Sequence, residues 1–510
     1  MRALVLSLAA APALLAAQTS VRILHANDTH AHIEPTMVQG KPYGGWAKFA
    51  TAVRQNWDDE GPCFLLHGGD AFQGTLYFNV YEGLADVAIM NRLGFDAMAV
   101  GNHEFDLGPG ALARFASLAQ FPCLAANLDL RDEAQLRELV RPSAVIESKG
   151  VRIGVVGACT EDLPEISSPG PNVKLFPIVP ALQAEVDKLT AQGIQIIVVL
   201  SHCGYDVERG YARSLRGVDV VVGGHSHSLL GDVPLPGNAV RRGDYPTVEK
   251  NADGDTVLVV QAWEWAKVMG RLDVQFDSAG KVVGWEGSAP VLVDGSLADD
   301  PEIAAMTAAF RKPIEALMSR PVGEASVALE RSTRSGESPL GNMIADAMLD
   351  ATRAQGAVAA FMNAGGVRAT IEAGVVTYGK AAEVQPFSNT LVLLELTGAQ
   401  IVEALENGAK RFGFLAVSEG TSYRVDRSSA EGSRVSGVVI AGAPVDPAKT
   451  YRVTFNNFNA NGGDGQGVLK DAKGFRRDTG LIDLDALIAY LAKNSPVRAA
   501  PTGRVRASGG

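Results

Sequence analysis

In the first half of the chain one unit recurs: a short apolar run rich in β-branched residues ends in a polar cluster, and a helix-period segment follows. The runs are Val21–Ala26, Cys63–Leu66, Ala97–Val100, Cys123–Ala126, Val151–Gly157, Ile194–Leu200, Val218–Val222 and Val257–Val260. Between them lie amphipathic stretches at Trp46–Trp57, Leu84–Leu93, Ala111–Ala119, Ala181–Ala191 and Tyr211–Leu215. Strands alternating with helices specify an α/β architecture. Val257–Val260 and Gly270–Phe276 have no helix between them, which predicts antiparallel pairing of these two.

Residues 297–320 read differently. Asp299-Asp300-Pro301 opens a helix-period run, Glu302–Met318, interrupted by Pro313. Acidic residues followed by Pro are helix start signals, so this stretch is expected to be a linker helix. Beyond it, Leu340–Ala354 and Ala399–Gly408 read as helices, and Ala357–Met362, Val392–Leu396, Ser436–Ile440 and Tyr451–Phe455 as strands. At roughly 150 residues per domain, a chain of 510 residues suits several units. The expected division is a leader at 1–17, a first domain at 18–297, a linker helix and hinge at 298–321, and a second domain at 322–510.

The N-terminus carries the leader. Arg2 precedes an apolar run from Ala3 to Ala17, too short to span a bilayer comfortably. Leu15-Ala16-Ala17 before Gln18 resembles a small-residue cleavage site, which predicts export to the periplasm or the extracellular medium. The formal charge of −11 argues against general affinity for nucleic acid polymers or anionic lipid, and no anchor pattern follows the leader. Three of the four cysteines (Cys63, Cys123, Cys159 and Cys203) open or close apolar runs, so buried free thiols are expected.

All eight histidines lie at or before residue 227. Five polar clusters follow the strand-like runs: Asn27-Asp28-Thr29-His30, Gly68-Gly69-Asp70, Gly101-Asn102-His103-Glu104, Ser201-His202 and Gly223-Gly224-His225-Ser226-His227. In α/β sheets, groups just past the carboxyl ends of strands converge on one crevice. Asp28 with His30, and His225 with His227, are spaced to project to one side of extended backbone. Carboxylate, imidazole and one amide form a mixed oxygen and nitrogen donor set suited to Zn, Mn, Co or Fe, without thiolate. Asp28, His30, Asp70, Asn102, His202, His225 and His227 exceed what one tetrahedral ion takes, which implies two ions with a shared carboxylate. Two metals roughly 3.5–4 Å apart can clamp an in-line displacement at phosphorus.

In this order the clusters D-x-H, GD, GNHE, lone H and GHxH resemble the calcineurin-like metallophosphoesterases over residues 21–270. The resemblance implies a four-layer α/β/β/α sandwich. It implies one metal on Asp28, His30, Asp70 and His227, and a second on Asp70, Asn102, His202 and His225, with Asp70 as the bridge. His103 then contacts the transferring phosphoryl group and Asp106 orients it.

Further on, Asn363-Ala364-Gly365-Gly366-Val367-Arg368, Gln385-Pro386-Phe387-Ser388-Asn389 and Asn457 to Gly465 resemble the C-terminal domain of the 5′-nucleotidases, as does Glu337-Ser338-Pro339-Leu340-Gly341-Asn342. That likeness implies a smaller α/β domain for nucleotide specificity. Phe387 and Phe458 match the pair that sandwiches the base, Asp464 the contact to the ribose hydroxyls, and Asn363 and Arg368 phosphate-contacting positions. Some members carry Arg immediately before the Glu of E-x-x-x-G-N; here that position is Gly336, and Arg334 is expected to reach the same space.

The implied reaction is hydrolysis of a nucleoside 5′-monophosphate by in-line attack of metal-bound hydroxide, by a monomer whose two domains close on the nucleotide. The alternatives on this scaffold are a 2′,3′-cyclic-nucleotide phosphodiesterase with 3′-nucleotidase activity, and a UDP-sugar or dinucleotide pyrophosphatase. His25, His32 and His67 fall outside the ligand pattern and read as structural, and Glu104 as a support for its loop.

Overall fold

The computed structural model describes residues 19–234, 240–331, 336–387, 389–498 and 503–508. The leader at 1–17 and Arg334 lie outside these residues.

Residues 19–292 build two sheets packed face to face. In the first, Thr19–Ala26 lies at the centre, parallel to Cys63–His67, with Ala97–Ala99, Cys123–Leu124 and Val140–Arg141 continuing the same side. On its other side Thr19–Ala26 pairs antiparallel with Val268–Phe276. The second sheet runs Thr247–Lys250, Thr256–Val260, Val220–Val222, Ile196–His202, Val151–Cys159 and Ser143–Ser148.

Alternation along each strand explains the layering. Val21, Ile23, Phe64 and Leu66 point inward and meet Val155, Val198, Val220 and Leu258 of the second sheet. Leu24, Ala26, Cys63 and Leu65 point outward into a core shared with the helices Trp46–Asn56, Leu84–Leu93 and Pro109–Leu118. The second sheet buries Val156, Ile197, Val199 and Val221 against Ile178–Ala191 and Tyr205–Ser214. The result is the four-layer α/β/β/α sandwich expected. One expectation fails: Thr256–Val260 pairs parallel with Val220–Val222, while Val268–Phe276 belongs to the other sheet. The seven residues between them carry the chain across the sandwich instead of turning a hairpin.

Pro301–Met318 is one helix despite Pro313. Asp300 caps it, its carboxylate accepting from the amides of Glu302 and Ile303 at 3.1 and 3.0 Å. It packs on Trp46–Asn56 and Leu76–Tyr81 from the first half and on Tyr378–Val384 from the second.

The second half centres on a five-stranded sheet in the order Ala416–Val417, Ala359–Met362, Thr450–Asn456, Thr390–Thr397, Arg476–Ile482. One face packs on the helices Pro339–Thr352 and Asp483–Asn494 through Ala360, Met362, Leu391 and Leu393. The other packs on Gly398–Asn407 through Ala359, Phe361, Val392 and Leu394. A capping box between Thr397 and Gln400 starts that last helix. All four cysteines are buried free thiols, and burial pushes Cys63 up to about 11 and Cys123 to about 12. Among the described residues no helix is long and apolar enough to cross a membrane.

Candidate metal centre

The seven ligand candidates meet at the ends of five strands, contributed by both sheets. Six of them, with His103, form overlapping groups: Asp28, His30 and His227; Asp70, His202 and His225; and His30, Asp70 and His103, each with its donor atoms within 4.8 Å of one another; Asn102 lines the same cleft. Asp70 stands in two of these groups. Its Oδ2 lies 2.9 Å from His202 Nε2 and 3.9 Å from both His30 Nε2 and His103 Nε2. Asp28 Oδ1 lies 3.3 Å from His227 Nε2 and 3.8 Å from His30 Nε2.

The backbone achieves this differently from the expected extended pairs. Asp28, His30, Asp70, His225 and His227 all have positive φ, between 46° and 73°. Non-glycine residues seldom adopt this region, and it concentrates where function demands a particular side-chain aim. Gly224 helps for steric reasons: a Cβ there would lie 2.4 Å from the Gly68 carbonyl and 2.8 Å from His202 Nδ1.

The donor set fits divalent cations. Asn102 Oδ1 is buried without a hydrogen-bond partner, and Asn102 lines the cleft beside Asp70, His225 and His227. Burial opposes charge on Asp28, but His227 and His202 outweigh it and hold its carboxyl down at about 2. Asp70 is likewise held well below the usual range, by His202 and His103 against its burial. Burial strips the proton from His30 and His225, which titrate near 4 and offer lone pairs. His202 and His227, despite burial, are pulled up to about 9 and about 10 by the same carboxylates. The two aspartates thus favour positive charge beside them, which a divalent cation would supply.

Outside the ring of donors, carbonyl groups aim the imidazoles. His30 Nδ1 lies 3.0 Å from the Phe72 carbonyl, and His202 Nδ1 2.7 Å from that of Gly68. Glu104 accepts from the amides of Gly101, Asp70, Ala71 and Phe72, which makes it a support for its loop. His67 bonds Thr29, His25 bonds Tyr245, and His32 stacks on Trp265, so none of the three enters the ring. His103 borders the ring, with Nδ1 2.6 Å from Asp106 Oδ2. Asp106 also accepts from Gln73 and Ser167.

A cleft of about 360 Å³ opens over the centre. Asp70, Asn102, His103, His225 and His227 form one wall; Asn457, Asn461, Lys470, Arg476 and Asp478 of the second half face them. A separate cavity of about 270 Å³ is lined by Asn363, Gly365, Phe387, Asn389, Phe458 and Asp464. Phe387 and Phe458 are 52% and 46% exposed, large for aromatic rings with nothing else to do. Asn363 donates to Asp464 at 2.8 Å, and Arg368 lies over the Phe387 ring at 5.7 Å. The expected metal donors therefore gather in one place, and the expected nucleotide contacts, apart from Arg334, in another.

Residues given no role by the sequence also shape the centre. Asn27 donates to Asp28 Oδ2 at 2.6 Å, Glu208 ties together the loops bearing Cys203 and Gly224, and Glu264 accepts from His227 Nδ1 at 2.8 Å. Asn27 opens one of the recognised clusters and Glu208 follows another; Glu264, between Trp263 and Trp265, has no motif to mark it.

Comparison with known proteins agrees over the whole chain. Residues 21–229 match the family described as calcineurin-like phosphoesterase, and residues 321–471 that described as 5′-nucleotidase, C-terminal domain. The chain is 34% identical to a 5′-nucleotidase of Homo sapiens, over 96% of its own length and 91% of the human protein. Among solved structures it is similar to a 5′-nucleotidase precursor from Thermus thermophilus, at 44% identity and a TM-score of 0.68, covering 96% of this chain and 99% of that one. It is also similar to an NAD nucleotidase of Haemophilus influenzae, at 26% identity and a TM-score of 0.77, covering 96% and 100%.

Proposed function

The chain belongs to the 5′-nucleotidase family, and from that membership we propose that it releases phosphate from nucleoside 5′-monophosphates with the help of two divalent cations. It is a metal-dependent phosphoric ester hydrolase. The observation that supports the two-cation reading is the position of Asp70, whose Oδ2 lies 2.9 Å from His202 Nε2 and 3.9 Å from His30 Nε2, within reach of a donor from each proposed set.

One cation would be held by Asp28, His30, Asp70 and His227, the other by Asp70, Asn102, His202 and His225. When bound, such ions supply Lewis-acid activation of water and neutralise charge on the phosphoryl group; Zn, Mn, Co and Fe all suit these donors. His103, kept protonated by Asp106, donates toward the phosphoryl oxygens as negative charge grows on them. Phe387 and Phe458 take the base between their faces, and Asp464 the ribose hydroxyls. Arg368 and Arg334 offer planar forks to the phosphate.

The aromatic cavity and the metal cleft have no lining residue in common. We therefore assign a closing motion between the domains 18–297 and 322–510 about the linker 298–321, which brings the nucleotide's phosphate to the metals and excludes water. Export, with removal of residues 1–17, and a monomeric state complete the reading.

A second reading, cleavage of the pyrophosphate bond in dinucleotides, is favoured by the likeness to the NAD nucleotidase. The test is hydrolysis of AMP, UMP, a 2′,3′-cyclic nucleotide, UDP-glucose and NAD, each with Zn, Mn, Co or Fe, with the nucleotide and nucleoside products separated by chromatography and free phosphate measured alongside. Preference for AMP or UMP upholds the first reading. Cleavage of NAD or UDP-glucose with little action on AMP replaces it with the second.

A further inference from the structure

The seven residues that carry the chain from one sheet to the other form a strained turn against the metal centre. Trp263, Trp265 and Ala266 have φ of 59°, 58° and 53°, three left-handed non-glycine residues within four positions. Such backbone persists only where its surroundings over-determine it. Here the surroundings are the segment bearing Asp28: Asn27 donates to the Trp263 carbonyl at 2.8 Å, and the Trp265 amide donates to the Asp28 carbonyl at 2.7 Å. The turn's far end is fixed by the Val293 amide, which donates to the Lys267 carbonyl at 2.9 Å.

The turn points Glu264 at His227. One carboxylate oxygen lies 2.8 Å from His227 Nδ1, and the other accepts from Lys267 Nζ at 2.7 Å. Lys267 is only 3% exposed, with Nζ 4.3 Å from the Trp263 ring centre and 3.8 Å from that of Trp265. Two indoles clamp the ammonium by cation–π attraction, and the Trp265 ring also stacks on His32, 4.3 Å away and within 9° of parallel. His30 and His202 have only backbone carbonyls behind them. His227 has an anchored carboxylate.

We propose that Glu264 is a positioning residue for the cation on Asp28, His30 and His227, and that Lys267, gripped by Trp263 and Trp265, holds Glu264 in place. The proposal rests on the two-cation reading above. Glu264 keeps the proton of His227 on Nδ1, so that Nε2 turns its lone pair toward Asp28 and His30, and its charge makes that lone pair a stronger donor. On the other cation His202 has the Gly68 carbonyl in that place and, among the described residues, no carboxylate, so loss of Glu264 acts on one of the two ions.

The test uses the full-length protein, stripped of metal and titrated with Mn²⁺, counting bound ions by equilibrium dialysis and recording the Mn²⁺ electron paramagnetic resonance spectrum. E264A weakens one ion ~10–100-fold and leaves the other within experimental error. At intermediate Mn²⁺ its spectrum is that of a lone ion, where wild type shows a coupled pair. E264Q, which accepts from Nδ1 without charge, falls between the two. K267M weakens the same ion by less, and serves with E264Q should E264A not fold. Unchanged affinity for both ions in the folded variants overturns the proposal, and so does equal weakening of both. A wild-type protein that takes up a single ion overturns the two-cation reading instead; weakening of that ion in E264A then upholds the role of Glu264, and unchanged affinity ends it.

Discussion

His103 Nδ1 and Asp106 Oδ2 lie 2.6 Å apart at the lip of the metal cleft, with Asp106 held in turn by Gln73 and Ser167. Burial works against a proton on His103, but Asp106 and Asp70 outweigh it and push the imidazole up to about 10. The wild-type side chain is therefore cationic throughout the neutral range. D106N removes most of that support, and the imidazole falls toward its ordinary value. Turnover in D106N should then decline by up to about tenfold per pH unit above that value, toward a floor on the order of 10²–10³ below the protonated rate, while wild type holds its rate through the neutral range. Profiles of kcat against pH for the two proteins check this. Parallel curves would remove His103 as a cationic donor.

On the proposed two-cation reading Asp70 serves both ions, since its carboxylate groups with His202 and His225 on one side and with His30 on the other, so D70N should weaken both. Metal analysis should find less than one tightly bound ion per chain. Interactions worth several kcal/mol in the transition state go with them, and kcat should fall ~10³-fold or more. A variant that keeps both ions and a normal rate contradicts the shared-carboxylate arrangement.

The aromatic pair predicts a split between substrates. Stacking contributes about 1–3 kcal/mol per base, so F458A should raise KM for AMP ~5–100-fold. An aryl phosphate too small to bridge Phe387 and Phe458 should be hydrolysed as before. Equal losses on both compounds would mean that the rings serve packing rather than the base.

Asp86 predicts a pH-dependent stability. It is fully buried, and burial pushes its carboxyl up to about 8, with the indole of Trp46 and its own amide opposing only in part. Folded, it keeps its proton up to about pH 8; unfolded, it ionises near pH 4. Stability from this group therefore declines as pH rises between those values and is level outside them. D86N carries no titrating group, so its melting temperature relative to wild type should climb from pH 4.5 to pH 8. A constant offset across that range would contradict a protonated Asp86.

The strands of the first half were legible because they are buried on both faces and bounded by Gly, His and Asp. Val151–Gly157 and Ile194–Leu200 each fall within two residues of the observed limits. The metal donors were legible for a related reason, since each closes such a run. The mistaken pairing of Val257–Val260 with Gly270–Phe276 has a specific cause. A short connection normally signals a hairpin, and nothing local reveals that these seven residues cross between sheets. Arg476–Ile482 gave no signal because it is an edge strand reading Arg-Arg-Asp-Thr-Gly, without an apolar run. Glu264 and Lys267 escaped notice because their meaning comes from His227 and Asp28, far away in sequence and joined to them only by folding.

The central strand Thr19–Ala26 finds its antiparallel neighbour, Val268–Phe276, only after about 250 further residues have been made. Until then one whole side of the sandwich's middle ribbon stands unzipped, with the backbone groups of Val21, Ile23 and Leu24 unpaired along it. A chain that stops before Val268 accordingly leaves Thr19–Ala26 as an open edge, and the first lobe can seal only once the crossing turn has delivered Val268–Phe276.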